Sequence, residues 1–314
     1  MQNIHHYFWS IIILSSAVFQ IGCTPTLSKH VTIELSQYST PSTTNNQEDI
    51  DKTLSIIKDR LGTLNLFYFD KQIVADTENK NRYTIMLPEK ASDEQIQLLV
   101  SDVSEMEIWQ VADKSKITVL IEIIQSDSKI RDLLINSSFY NENCLLLSNR
   151  QDSAIVMQSL DSLISNKNIQ FRWGKDPNKT LDNGIYGEMK EEEHKKLYIL
   201  EAQDLQTGPL LTSKYITKVS VESTPMATPV INIEMEKEGA DKWEKITKKN
   251  IGKPLAIVVD NEVYSTPTVS DKISNGSTSI SGAFTQQEAE RLAFRLQAKK
   301  MPLGVTIIDI AQSK

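Results

Sequence analysis

The residue types that could do chemistry in this 314-residue chain are two cysteines, four histidines and one acidic run. Cys144 precedes three leucines and has no base near it in the sequence, so we interpret it as a buried, inert thiol. The run Glu191–His194 lacks the H-E-x-x-H spacing of a zinc site, and adjacent side chains do not converge on one ion. We interpret it as a solvated charge run and expect neither a metal nor a cofactor.

Two further patterns resemble sites but favour structural roles. Gly252-Lys253 lacks the first glycine and the Ser/Thr of a phosphate-binding P-loop, so a helix end followed by a strand is predicted. Asp260-Asn261 is a pair typical of a tight hairpin turn, which predicts a structural carboxylate at Asp260. We therefore expect no catalytic residues, no enzyme activity and no small-molecule substrate.

The composition excludes another class of protein. The chain has 34 Lys and Arg residues against 41 Asp and Glu residues, a net charge of −7. Because nucleic-acid-binding proteins carry a basic surface, no nucleic-acid partner is expected. The 39% hydrophobic and 24% charged residues are ordinary for a globular protein, and the length favours two domains.

The N-terminus has the pattern of a lipoprotein signal. The apolar run Tyr7–Gly22 is short for a membrane-spanning helix and suits a signal-peptide core. It ends at Gly22-Cys23, which predicts a signal peptide over 1–22, lipidation of Cys23 and a tether over 23–29. An uncleaved membrane anchor is the alternative, and a soluble cytoplasmic protein is a third. Both leading interpretations place the body outside the inner membrane, with the anchoring membrane left open.

The N-terminal third predicts a ferredoxin-like order of elements. Strands are expected at 31–35, 83–87 and 106–111, with a strand or buried loop at 64–69. Helical spacing from Ile50 to Leu61 predicts a first helix ending at Gly62, and the S-x-x-Q capping box at Ser92 opens a second. The polar stretch 36–49 is predicted to be a loop.

The remainder predicts mixed helices and strands. Helices are expected at 126–136, 152–165 and 236–250, and after a second capping box at Thr285. Strands are expected at 169–173, 198–202, 219–223, 230–235, 255–259, 263–264 and 305–308.

The C-terminal half then resembles a known family. Asn250–Asp260, Val263–Pro267, Ile280–Gly282 and Phe284-Thr285 are similar to the first periplasmic domain of SecD, a subunit of the bacterial protein-export machinery. The resemblance implies an α+β fold: a ferredoxin-like base domain with an inserted α+β head subdomain. It places the base at 30–112, with 302–314 returning to it, and the head at 113–301.

The resemblance also implies a function without catalysis. In this family the head captures the emerging polypeptide, so the expected partners are unfolded exported polypeptide, Sec translocon components and, through the lipid, the membrane. The family's proton-conducting helices have no counterpart in this sequence, so no proton-driven channel of its own is expected. The alternative is an envelope scaffold lipoprotein that keeps the fold and has no role in export.

The candidate binding, structural and hinge positions are as follows. Strand addition at a sheet edge leaves no side-chain signature, so the polypeptide-binding surface cannot be placed. Trp173, Trp243 and Phe67–Phe69 could hold a peptide, although core packing is commoner. The structural motif positions are Gly252, Pro254, Asp260, Pro267, Gly276 and Gly282, and the hinge positions are Ala112, Asp113, Lys299, Lys300, Met301 and Pro302.

Overall fold

The computed structural model describes residues 27–36, 47–66, 72–136, 146–163, 168–175, 194–202, 208–223, 228–282 and 284–312. Cys23, Cys144 and the acidic residues 191–193 lie outside them. Within these ranges the chain forms seven α-helices and three sheets, an α+β fold. No helix in the described part is both long and apolar enough to cross a membrane.

The strands are numbered in chain order. They are β1 (Lys29–Ser36), β2 (Ile73–Ala75), β3 (Arg82–Leu87), β4 (Met106–Val111), β5 (Leu134–Asn136), β6 (Leu146–Asn149), β7 (Ile169–Gly174), β8 (His194–Glu201), β9 (Leu211–Thr212), β10 (Ile216–Ser223), β11 (Pro229–Met235), β12 (Leu255–Val259), β13 (Glu262–Ser265), β14 (Ser277–Ser281) and β15 (Gly304–Gln312). The helices are α1 (Gln47–Thr63), α2 (Asp93–Val100), α3 (Lys114–Ser126), α4 (Ser128–Arg131), α5 (Ser153–Leu163), α6 (Lys237–Lys249) and α7 (Gln286–Gln297).

The base is a four-stranded antiparallel sheet in the order β15-β1-β3-β2. Along β1, Val31, Ile33 and Leu35 alternate with more exposed residues and are at most 2% exposed. They share one core with buried residues of α1 and α2, including Ile57 and Leu99, so both helices cover one face. The capping box at Ser92 starts α2 as expected. This strand order is that of a ferredoxin-like sheet.

The fourth base strand is not the one that was expected. Residues 106–111 form a strand, β4, but it pairs with β12 in the eight-stranded sheet, and β15 takes the base position. The reason is that β4 is apolar on both faces. Met106 and Ile108 join one core cluster and Trp109 and Val111 another, so the strand needs a sheet that is covered on both sides. The predicted assignment of 106–111 to the base is therefore wrong.

The head consists of two sheets and the helices between and beside them. The eight-stranded sheet has the order β5-β6-β8-β7-β13-β12-β4-β9, and the three-stranded sheet the order β10-β11-β14. Helices α6 and α7 share a core with both sheets, in which Trp243 and Leu292 meet Ile231 and Ile257. Helices α3 and α5 pack on the other part of the large sheet.

Three local predictions were wrong. The helix expected at 126–136 is limited to α4, and β5 begins at Leu134. Helix α1 starts at Gln47, inside the predicted loop, and continues past Gly62 to Thr63. The left-handed residue that follows the helix is Asn65, with a φ of 57°. The predicted strands of the C-terminal third and the capping box at Thr285 are confirmed.

Candidate functional site

The Asp260 turn of the head contacts residues 104 and 105, in the segment that connects the base to the head. Asp260 and Asn261 both have positive φ, at 49° and 68°, as the hairpin turn between β12 and β13 requires. The Asp260 carboxylate accepts hydrogen bonds from the Ser104 hydroxyl at 2.9 Å and the Glu105 amide at 3.0 Å. It also pairs with Arg295 of α7 at 3.1 Å. These contacts give the Asp260 carboxylate a structural role.

The other motif positions shape the backbone around β12. Gly252, with a φ of 77°, follows α6 and donates its amide to Val269. Pro254 bridges Thr268, and the carbonyl of Pro267 accepts the Leu255 amide. These contacts hold residues 267–269 beside the start of β12.

Gly276 and Gly282 sit at close approaches. A Cβ on Gly276 would lie 2.5 Å from the Ala240 Cβ, and its φ is 66°. A Cβ on Gly282 would lie 3.1 Å from the Phe284 ring. Gly276 therefore allows the loop before β14 to pack against α6.

Arg60 joins the two places where the chain passes between base and head. It lies on α1 and is 3% exposed. One terminal nitrogen donates to the carbonyls of Leu99 at 3.0 Å, in the last turn of α2, and Ser101 at 2.6 Å, just beyond its end. The other donates to the carbonyl of Lys299 at 3.2 Å, beyond the end of α7. Sequence reasoning missed Arg60, although a charged residue beside the apolar stripe of a helix is a usable signal.

The predicted hinge positions fall in two different settings. Ala112 and Asp113 lie inside the head, because the Ala112 amide donates to Ile199 and Asp113 caps α3. They are not at a crossing between base and head. Lys299 and Lys300 are exposed and connect α7 to the buried Met301, followed by Pro302. Hinge movement there stays a prediction.

A cleft of about 740 Å³ opens in the head beside the three-stranded sheet. It is lined by residues of β10, β11, α6, β12 and β14 and by the segment 267–275. Two rows of polar residues cross the sheet here, because the register aligns them on one face. These rows are Lys218, Glu234 and Ser277, and Ser220, Asn232 and Ser279.

The charges of this cleft are predominantly negative. Lys218 pairs with Glu234 at 2.8 Å, and this hydrogen bond raises the pKa of the Lys218 ammonium above its ordinary value. Glu222 and Asp271 also line the cleft, and neither has an ion pair among the described residues. One cation against three carboxylates leaves a formal charge of −2.

The large apolar residues of the cleft lie beneath its surface. Trp243, Leu255 and Ile257 are at most 5% exposed. The Trp243 indole donates to the Ser277 carbonyl at 3.2 Å, so the ring is part of the core. Trp173 packs against another core cluster, and Phe67–Phe69 fall outside the described residues. Core packing, the commoner expectation, is confirmed for Trp243.

Strand β14 leaves one edge without a strand neighbour among the described residues. On that edge, the Ser277 amide donates to Asn275 and its carbonyl accepts from Trp243. Backbone groups of an antiparallel strand point alternately to its two sides, so those of Ser279 and Ser281 face the same way as those of Ser277. This places a short backbone edge beside the cleft.

A known protein family matches the part of the sequence that forms the cleft. Residues 185–303 match the family described as the SecDF P1 head subdomain. The similarity to the SecDF P1 head subdomain extends over 119 of the 314 residues. Every residue that lines the cleft falls within the matched range.

Relatives among characterised proteins are SecD subunits of the protein translocase. The SecD of Dictyoglomus turgidum is 33% identical over 135 residues, which are 43% of this chain and 31% of that protein. The SecD of Syntrophobacter fumaroxidans is 39% identical over 106 residues, 33% of this chain and 20% of that protein. The chain therefore spans about a third or less of these two relatives.

Solved SecDF structures are also similar. The structure of SecDF in its super-membrane-facing form has a TM-score of 0.48 and 18% identity, covering 90% of this chain and 30% of that one. A structure of SecDF, described as a membrane component that enhances protein export, has a TM-score of 0.47 and 18% identity. It covers 89% of this chain and 98% of that one.

Proposed function

We propose that this chain is a non-enzymatic accessory of protein export whose head binds an extended segment of exported polypeptide in the cleft beside β14. The observation that carries the proposal is that the matched SecDF P1 head subdomain contains the entire lining of the cleft. The SecD relatives are subunits of a protein translocase.

The cleft has the physical properties that such a ligand needs. Its volume of about 740 Å³ lies within the range of ligand-binding sites, about 300–1,000 Å³. The Ser279 edge of β14 offers main-chain groups, and the hydroxyl and amide side chains of Ser220 and Asn232 offer further hydrogen bonds. Main-chain pairing gives affinity without requiring one sequence, which suits a protein that meets many exported chains.

The same proposal places the protein at a membrane. The apolar run that ends at Cys23 supports a lipid-anchored protein that faces the periplasm, on the inner or the outer membrane. The base, which begins at Lys29, then lies close to the lipid surface, and the head carries the cleft away from it. The protein works beside the Sec translocon.

The test is photo-crosslinking in cells from a probe at Lys272, which is exposed and adjoins Asp271 in the cleft lining. The matched control carries the probe at Lys52, an exposed lysine on α1 of the base. The proposal expects a range of unfolded secreted chains, or translocon subunits, captured at Lys272 and not at Lys52. Capture of one folded envelope protein without export substrates would instead favour the scaffold alternative.

A further inference from the structure

We propose that the cleft selects polypeptide segments by charge and prefers extended segments that carry lysine or arginine. The inference rests on the proposed function and adds the class of segment that the cleft accepts. It follows from the charge and the burial of the residues that line the cleft.

The charge of the cleft is not neutralised from within. The ammonium of Lys218 is held by Glu234 at 2.8 Å, so it is already engaged. Glu222 on β10 and the exposed Asp271 in the loop after β13 form no ion pair within 4.0 Å among the described residues. The nearby Lys272 is paired with Glu244 at 3.0 Å. Lys218 also attracts Glu222 electrostatically, but one cation against three carboxylates leaves the lining net negative toward a cationic side chain that enters the cleft.

The cleft offers apolar as well as polar surface, because Pro267, Val269 and Ile273 also line it. Trp243, Leu255 and Ile257 are buried beneath it, and the exposed surface of the sheet carries hydroxyl, amide and charged groups. An apolar segment could contact these side chains, but it would displace water from the polar groups of the sheet without replacing their hydrogen bonds. Selection by charge and hydrogen bonding is the mode that this lining supports.

The ligand is an extended chain because of where the charges lie. Glu222 on β10 and Asp271 in the loop after β13 both line the cleft, and the backbone edge at Ser279 borders the same space. An extended segment can pair its main chain with that edge while successive side chains point to opposite sides. A helix hides its main-chain groups and cannot use the edge.

The experiment uses the full chain in phosphatidylcholine nanodiscs, whose surface carries no net charge. A photo-crosslinking residue replaces Ser279, and three 12-residue Ser/Thr-based peptides are compared: one with four lysines, one with four glutamates and one uncharged. Exposed ion pairs are worth about 0.2–1 kcal/mol each, so each carboxylate should contribute about 1.4- to fivefold to binding. The lysine peptide should crosslink at about tenfold lower concentration than the uncharged peptide, and high salt should reduce this advantage.

The double variant Glu222→Gln with Asp271→Asn should remove most of the advantage, whereas the matched control Glu78→Gln, on an exposed turn of the base, should not. If all three peptides crosslink equally, or the glutamate peptide is preferred, charge selection is overturned while polypeptide binding stands. If no peptide crosslinks from Ser279, the proposed function fails together with this inference.

Discussion

Arg60 provides the most direct test of how base and head are joined. Its guanidinium is buried and donates to main-chain carbonyls at both ends of the head, at Ser101 and at Lys299. Replacing it with methionine keeps much of the apolar stem and removes every donor. The carbonyls would then be left without their partner in a region that water reaches poorly.

The expected loss of stability in Arg60→Met can be estimated from these hydrogen bonds. The contacts to Ser101 at 2.6 Å, Leu99 at 3.0 Å and Lys299 at 3.2 Å have good donor–acceptor distances. Hydrogen bonds to charged groups contribute about 1.5–3 kcal/mol each, and the variant regains part of that by no longer burying a charge. We expect Arg60→Met to lower the free energy of unfolding by about 3–5 kcal/mol. Arg60→Lys, which keeps the charge but fewer donors, should lose about half as much.

The assay is urea unfolding followed by circular dichroism, with amide hydrogen exchange to locate the change. The matched control is Arg82→Met, because Arg82 is a base arginine whose side chain is 40% exposed and pairs with Glu34. An exposed pair of this kind contributes about 0–1 kcal/mol. Exchange should accelerate around Ser101 and Lys299 only in the Arg60 variants. Equal losses in Arg60→Met and Arg82→Met would refute the role assigned to Arg60.

Two further predictions concern local structure. Gly276→Ala should destabilise the head by about 2–3 kcal/mol in urea unfolding, because its Cβ would lie 2.5 Å from that of Ala240 and its φ is positive. The control Gly62→Ala meets open space on α1 and should be neutral or stabilising by up to about 1 kcal/mol. The Ser115 hydroxyl lowers the pKa of Asp113 below its ordinary 3.8. The stability that this ionised cap adds should therefore be lost as the pH falls below about 4, and Asp113→Asn should flatten that slope in acid titrations.

Local sequence patterns predicted where helices and strands lie better than they predicted which strands pair with each other. The capping boxes at Ser92 and Thr285 lie within four residues of chain, and both are present. The sheet that a strand joins depends on contacts far along the chain. Residue Ile108 of β4 pairs with Ile257 of β12, and alternation within residues 106–111 contains no information on that choice. The base sheet was therefore predicted with the wrong fourth strand.

At the candidate site, too, the local sequence does not reveal the tertiary contacts. Asp260-Asn261 was recognisable as a turn, but its bonds to Ser104 and Arg295 depend on tertiary structure. The cleft is formed by serines, threonines and paired charges, which also occur on ordinary exposed strands. Only the register that places Lys218 beside Glu234 and Ser277 shows that they share one surface.

The junction also determines where the head could bend. Leu296 at the end of α7 is buried in the head core, and Met301 is buried in the base core. Lys299 and Lys300 between these anchors are exposed, so the chain is least restrained there. The bond from Arg60 to the Lys299 carbonyl spans this segment, and rotation of the head about it would have to break that bond. Arg60 would thus help to hold the resting orientation of the head, together with the ion pair at 2.8 Å between Arg291 of α7 and Glu94 of α2, and movement of the cleft relative to the base would have to break both.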